Sequence, residues 1–392
     1  MTETNETAIN IKDKNIITVN GLYYMAIILL TVKTILTSSQ LIILNETIDN
    51  IIFISCIIFI MLKMIMVFRS FRYLLITVGI GFICLYTCVK TGSYHIFTSY
   101  LIIAGSFKVN KRTMVKCISY TSGILISIHI TIYLLNLAFG TIELSEIVKQ
   151  GVFVATNSFY LGHSNTASMY ILWTLLAFIY LNYEKLSFNK IIIYSVIMSM
   201  NYYFTKSRTG LIVSIVAILM IYFDKYVLDK NNKIFKRIAK YGFAILSIIS
   251  CLLCIFYNST QYMQLIDKIF TGRLWLGAFA YKTFGHTLFG QFIDFNQNYG
   301  VISNWSVTRL AIDIMPLRLL INYGIFYLLL YNFMLFKINK YTSRIENILI
   351  SLMVLHSCME IFTINAIVCF PLSIVGWYML NGGYLNKKLK KY

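Results

Sequence analysis

Apolar runs about as long as a bilayer crossing follow one another through most of this chain, separated by short clusters of charge. A helix needs about 20 mainly apolar residues to cross roughly 30 Å of hydrocarbon. With 392 residues, 58% of them hydrophobic and 12% charged, no soluble core could bury so much apolar surface. The chain is therefore expected to be an all-α, polytopic membrane protein forming one integral domain over 1–392.

Twelve spans are predicted. Six lie in the first half, at 20–38, 50–68, 73–90, 91–107, 117–139 and 165–183. The other six are 190–205, 209–224, 241–257, 317–336, 346–363 and 364–381. Basic residues collect on the cytoplasmic side of short loops, and counting alternate sides places 23 of the 34 Lys and Arg on one face against 9 on the other. That face is read as cytoplasmic and carries both termini. The net charge of +19 then reports topology and contact with anionic lipid, and no nucleic-acid motif accompanies it.

The eight cysteines fall within or at the ends of spans, where thiols behave as small apolar residues, so neither a disulfide nor a metal site is expected. Cys251 and Cys254 have redox-motif spacing but sit in mid-span. The first apolar run lacks a small-residue cleavage site and reads as a retained span. Lys33 and Lys63 inside spans read as snorkelling or cavity-facing lysines.

With short cytoplasmic loops, chemistry is expected in the membrane or on the external face, where segments 140–164 and 257–316 stand out by length. The longer one holds TGRLWLGAFAYKTFG, an interfacial helix opened by Arg273, and then His286, Asp294, Arg309 and Asp313. Arg208, in TKSRTG beside Lys206, also falls outside, against the positive-inside bias. A guanidinium fork suits an anionic ligand at the outer leaflet, because it donates two hydrogen bonds to phosphate and keeps its charge. Pairing with external acids or lipid headgroups would also account for it. His163 and Asn165 suit sugar hydroxyls or the cap of the sixth span. Glu360 and His356, one turn apart in the eleventh predicted span, are read as either an interhelical clamp or a wall of the acceptor site.

Four stretches, GHSNTAS at 162–168, TKSRTG at 205–210, GRLWLGAF at 272–279 with FG at 289–290, and DIMPLRLLINYGI at 313–325, resemble the Wzy-type bacterial polysaccharide polymerases of the O-antigen ligase and polymerase superfamily. The resemblance covers the chain from about 140 onward. It implies a cofactor-free, metal-independent glycosyltransferase of the bacterial cytoplasmic membrane that joins undecaprenyl pyrophosphate-linked oligosaccharide units at the external leaflet. Membrane lipids, with a flippase and a chain-length regulator of the same pathway, are the candidate partners. Arg208 and Arg273, with Lys206, His163, Asn165 and Arg309, would bind pyrophosphate and sugar. The proton acceptor stays open between Asp313, His286 and no strong base, since the ligase branch has a histidine where this chain has Asp313. Glu360 is a further catalytic candidate. A lipid-linked oligosaccharide flippase and an O-antigen ligase are the alternatives.

Overall fold

The computed structural model describes the backbone except at 1–2, 68–70, 141–145, 150–151, 156, 230–231, 259, 271, 303–304, 307–309, 339–341 and 390–392. Side chains at 3–18, 72–73, 146–149, 152–155, 269, 301–302, 305–306, 338 and 383–389 are likewise outside the description. The described residues are predominantly helical: α1 (Glu3–Thr37), α2 (Glu46–Val67), α3 (Phe71–Thr91), α4 (His95–Gly105), α5 (Lys111–Ala138), α6 (Ser164–Asn182), α7 (Phe188–Thr205), α8 (Arg208–Tyr222), α9 (Ile234–Ile255), α10 (Gln261–Ile269), α11 (Arg273–Phe284), α12 (Met315–Arg318), α13 (Ile325–Ile338), α14 (Arg344–Ser357) and α15 (Phe370–Leu389). Two antiparallel hairpins, β1 (Glu146–Lys149) with β2 (Val152–Ala155) and β3 (Val301–Ile302) with β4 (Trp305–Ser306), lie in the two long loops.

Seven described segments are long and apolar enough to cross a membrane: 19–37, 46–67, 74–91, 111–138, 164–185, 208–227 and 234–255. Several helices of this kind make the chain a multi-pass membrane protein in character. Three of the other predicted runs are shorter or broken. The run predicted at 91–107 yields α4, only 11 residues, or about 16 Å of helix. The run at 317–336 is interrupted: α12 passes into a π-helical turn at Leu319–Tyr323, Gly324 takes φ 103°, and α13 restarts. The run at 346–363 ends as a helix at Ser357.

The break at Gly324 is supplied with partners by the loop before it. Ile325 N donates to Thr287 O at 2.9 Å and Phe326 N to Leu288 O at 3.2 Å, while Gln291 N donates to Asn322 O at 2.9 Å. Irregular backbone within an apolar run needs such partners, because an unpaired polar group away from water is costly. A Cβ at position 324 would lie 2.4 Å from Leu288 O, so both the positive φ and the close approach require glycine.

Two compact units divide the chain. The first comprises Met1–Val78, Thr98–Tyr222 and Ala366–Tyr392; the second comprises Gly79–Phe97 and Phe223–Asn365. In the first unit, α1 packs on α2 and α5, α5 on α6, and α6 on α7. Lys63 does not snorkel: it is 1% exposed, and its ammonium donates to the carbonyls of Gly105 and Phe107 at the end of α4. Asn381 holds the same turn, donating to Ser106 O at 3.1 Å and accepting from Lys108 N at 2.9 Å. Lys33 forms an ion pair with Asp49. These partners explain charged groups that hydropathy alone leaves stranded in spans.

In the second unit α9 packs against α11, α13 and α14. Its buried stripe, Ala239, Phe243, Ser247, Ser250 and Cys254, recurs at helical spacing. Cys254 donates through Sγ to Leu274 O at 3.6 Å, and a Cβ on Gly277 would come within 3.1 Å of that sulfur and 2.8 Å of Leu317. The small residues of α9 and α11 thus set a close approach. All eight cysteines are free thiols, and Cys254 acts here as packing.

Candidate functional site

The second unit assembles an ionic cluster at the start of α11. Gly272, with φ 83°, turns the chain out of α10 and supplies no capping side chain. The cap comes instead from Asp267, 4% exposed, whose Oδ1 accepts from Leu274 N at 2.9 Å and Trp275 N at 3.3 Å. Burial pushes the Asp267 carboxyl above the usual carboxylate range, and the two amides pull it partly back.

Arg273 is the first residue of α11 and so carries positive charge into the positive end of a helix dipole, an unfavourable place for a cation. Two carboxylates offset that. Arg273 Nε donates to Asp313 Oδ2 at 3.1 Å, and Nη2 donates to Glu360 Oε1 at 3.1 Å. The side chains of Arg273, Asp313 and Glu360 are 16%, 32% and 7% exposed, so the cluster is largely desolvated on the Glu360 side and open at Asp313. The Oδ1 of Asp313 has no hydrogen bond to the described residues.

Each acid is placed by a short irregular segment. Asp313 lies between buried Ile312 and Ile314, an alternation that points it away from the core before Pro316 enters the first turn of α12, where a missing N–H costs nothing. Glu360 is not helical, contrary to the expectation that it shares a helix face with His356: its φ of −148° and ψ of 149° are extended, and α14 has already ended. The backbone keeps a link, with Glu360 N donating to His356 O at 3.0 Å. The extended backbone frees its carboxylate to reach Arg273 on another element.

Behind α12 a second guanidinium is fixed. Arg318 Nε donates to Asn322 Oδ1 at 3.1 Å, and its plane covers Phe295 at 3.6 Å from the ring centre. Asn322 in turn donates to Gln291 O at 2.8 Å, and Gln291 Nε2 donates to Ile321 O at 2.8 Å and Phe284 O at 3.1 Å.

His286 stands apart from the cluster. It is exposed, its Nδ1 lies 3.4 Å from the Tyr281 hydroxyl, and its ring stacks on Tyr281. Arg309 lies outside the described residues.

The remaining predicted residues belong to the first unit. Arg208 opens α8, whose start is set by Ser207: Gly210 N donates to Ser207 Oγ at 3.3 Å. A Cβ on Gly210 would fall 2.2 Å from Ser168 Oγ, and Ser168 is held by Asn201 at 3.1 Å, so the turn is pinned by packing against α6 and α7. From this rigid start the Arg208 side chain is exposed and makes no hydrogen bond or ion pair to the described residues. Lys206, in a left-handed conformation with φ 51°, lays its ammonium over Tyr203 at 4.4 Å. His163 is itself the cap of α6, accepting from Asn165 N at 3.2 Å, whereas Asn165 lies inside the helix.

Of the predicted residues, then, Arg273, Asp313 and Glu360 meet directly. Asp267 is not legible as a cap in the sequence, because a capping side chain is expected at the N-cap, which is Gly272, and the turn between α10 and α11 is what brings Asp267 to Leu274 N and Trp275 N. Its role can be tested. Asp267→Ala is expected to cost about 1 kcal/mol, as loss of a helix cap does, while Asp267→Asn keeps an accepting oxygen. A carboxyl whose folded pKa is raised adds stability that is fully present below the unfolded Asp value of about 3.9 and is lost as pH rises through the folded value. The unfolding temperature of the wild type, measured against that of Asp267→Asn, should therefore fall as pH rises above about 4.

Among the described residues no group of three or more His, Cys, Asp or Glu side chains is placed to hold a metal ion. No protein-family model, curated protein or solved structure matches this chain.

Proposed function

We propose that the chain is a polysaccharide polymerase of the bacterial cytoplasmic membrane, lengthening a glycan from oligosaccharide units carried on undecaprenyl pyrophosphate at the external leaflet. On this reading it crosses the membrane twelve times with both termini cytoplasmic, some crossings being built from the short and broken helices, and 257–316 is external. The observation that carries the reading is the Arg273 clamp, an arginine at the start of a short loop helix held between two carboxylates, one of them accessible.

Glycosyl transfer from a lipid diphosphate joins an acceptor oxygen to the anomeric carbon while the bond from that carbon to the diphosphate breaks. The acceptor proton needs a base, and the departing diphosphate needs positive charge. Asp313 has the free oxygen and the exposure for the first task. The two bonds that Arg273 donates go to acids, so its part is to hold Asp313 and Glu360. Arg208, exposed at the start of α8, is the proposed pyrophosphate ligand on the strength of its own exposure and sequence context. The resemblance of four stretches of sequence supports the same assignment, with Lys206, His163, Asn165 and Arg309 as sugar or phosphate contacts.

A flippase is the second reading, and the interrupted helices favour it, because broken spans are where transporters bind their substrates. Deleting the gene separates the two. A polymerase deletion leaves single repeat units exposed on the outer leaflet and no long chains, whereas a flippase deletion traps the units inside.

A further inference from the structure

α11, the helix expected to lie along the interface, turns its apolar positions inward. Leu274, Ala278 and Ala280 are buried, Leu276 and Phe279 pack against them, and among the described residues of α11 no large apolar side chain is exposed. The exposed ones lie on α10, where Tyr262 is 81% and Leu265 53% exposed. At about 100° per residue α10 divides into three faces. Ile266 and Phe270 pack against the same core as α11, and Asp267 is buried beside them. Tyr262 and Leu265 make the second face, and the exposed Gln264 and Lys268 the third. A short helix with a protein face, an apolar face and a polar face suits the boundary between lipid and water, and suits neither water nor hydrocarbon alone.

The chain just before α10 says what covers its apolar face. α9 is long and apolar enough to cross a membrane, and Tyr241, Ile245, Ile248, Leu252 and Ile255 form an exposed stripe at helical spacing, opposite the stripe it buries. Phe256, 68% exposed, extends that surface past the last turn. Five residues separate α9 from α10, and Tyr257 among them donates to Asp267 Oδ2 at 3.5 Å, which folds α10 back onto the end of α9. We infer that α10 is a membrane-surface anchor whose partner is the lipid leaflet at the end of α9: Tyr262 and Leu265 enter the upper acyl layer, while the side bearing Gln264 and Lys268 faces water. Asp267 of the same helix caps α11, so lipid that holds α10 also fixes the start of α11, where Arg273 stands. The anchor rests on the membrane-spanning character of α9, and its failure would leave the polymerase reading standing.

Tryptophan fluorescence of the full chain in nanodiscs tests the anchor, with lipids brominated high or low on the acyl chain as membrane quenchers and iodide as the aqueous one. Emission is read as the difference from the parent, whose four tryptophans are kept in every variant. Leu265→Trp should emit to the blue and lose about half its emission or more to bromines on the upper acyl carbons, which match a burial depth of about 5–10 Å. Lower bromines should quench it less. Gln264→Trp, on the polar side, should resist both brominated lipids and be quenched by iodide. Quenching of both positions by iodide and of neither by lipid would put α10 in water and overturn the inference. Equal quenching of both by the lower bromines would put it in hydrocarbon and overturn it as well. Should Leu265→Trp fail to fold, Tyr262→Trp, an aromatic for an aromatic on the same face, carries the comparison.

Discussion

Arg273→Ala is expected to give a chain that folds poorly and makes no long polymer. The substitution leaves Asp313 and Glu360 at the start of α11 without the guanidinium that separates them, and Glu360 is 7% exposed. Removing one partner from a buried ionic group costs about 3–5 kcal/mol, because a charge is left uncompensated. Unfolding temperature in detergent reads that loss. Folding and chemistry are separated by a second variant, Arg273→Met with Asp313→Asn and Glu360→Gln, in which no charge is stranded. It should regain much of the stability and none of the activity. Restored polymer in that triple variant would reduce the clamp to a structural brace.

Arg208→Ala should do the reverse, leaving stability nearly untouched and removing the product. Its side chain is exposed and unbonded to the described residues, and such surface changes stay within about 0.5 kcal/mol. If Arg208 neutralises the leaving diphosphate, however, losing it should slow transfer by about 100-fold or more, the scale seen when one electrostatic donor is taken from a transition state. Long-chain polymer would vanish from gels while single units still reached the outer leaflet. Arg208→Lys, with the charge but without the fork, should retain a fraction of the rate. Polymer of normal length and amount from Arg208→Ala would remove this residue from the mechanism.

The class of fold was legible because bilayer thickness imposes a length on apolar runs that few other structures share. Arg273 was legible too, since it opens a helix whose apolar positions and leading glycine stand out in the sequence, and that helix begins at Arg273. Hydropathy could not distinguish a crossing from an interrupted one. The run 317–336 is mostly apolar, yet the contact of Gly324 with Leu288 breaks it, and that contact joins residues 36 positions apart. Glu360 was misjudged for a related reason: helical spacing from His356 says nothing once α14 stops at Ser357. Lys63 and Arg318 show the same limit from the other side, for a charge within an apolar run is explained only by the carbonyls or rings that the fold brings to it.

Transfer itself is the most direct thing to measure. Purified full-length chain in nanodiscs, given undecaprenyl pyrophosphate-linked repeat units with no nucleotide sugar and no ATP, should lengthen them and release undecaprenyl pyrophosphate in proportion to the linkages formed. Folded protein that leaves verified units unextended would contradict the polymerase account.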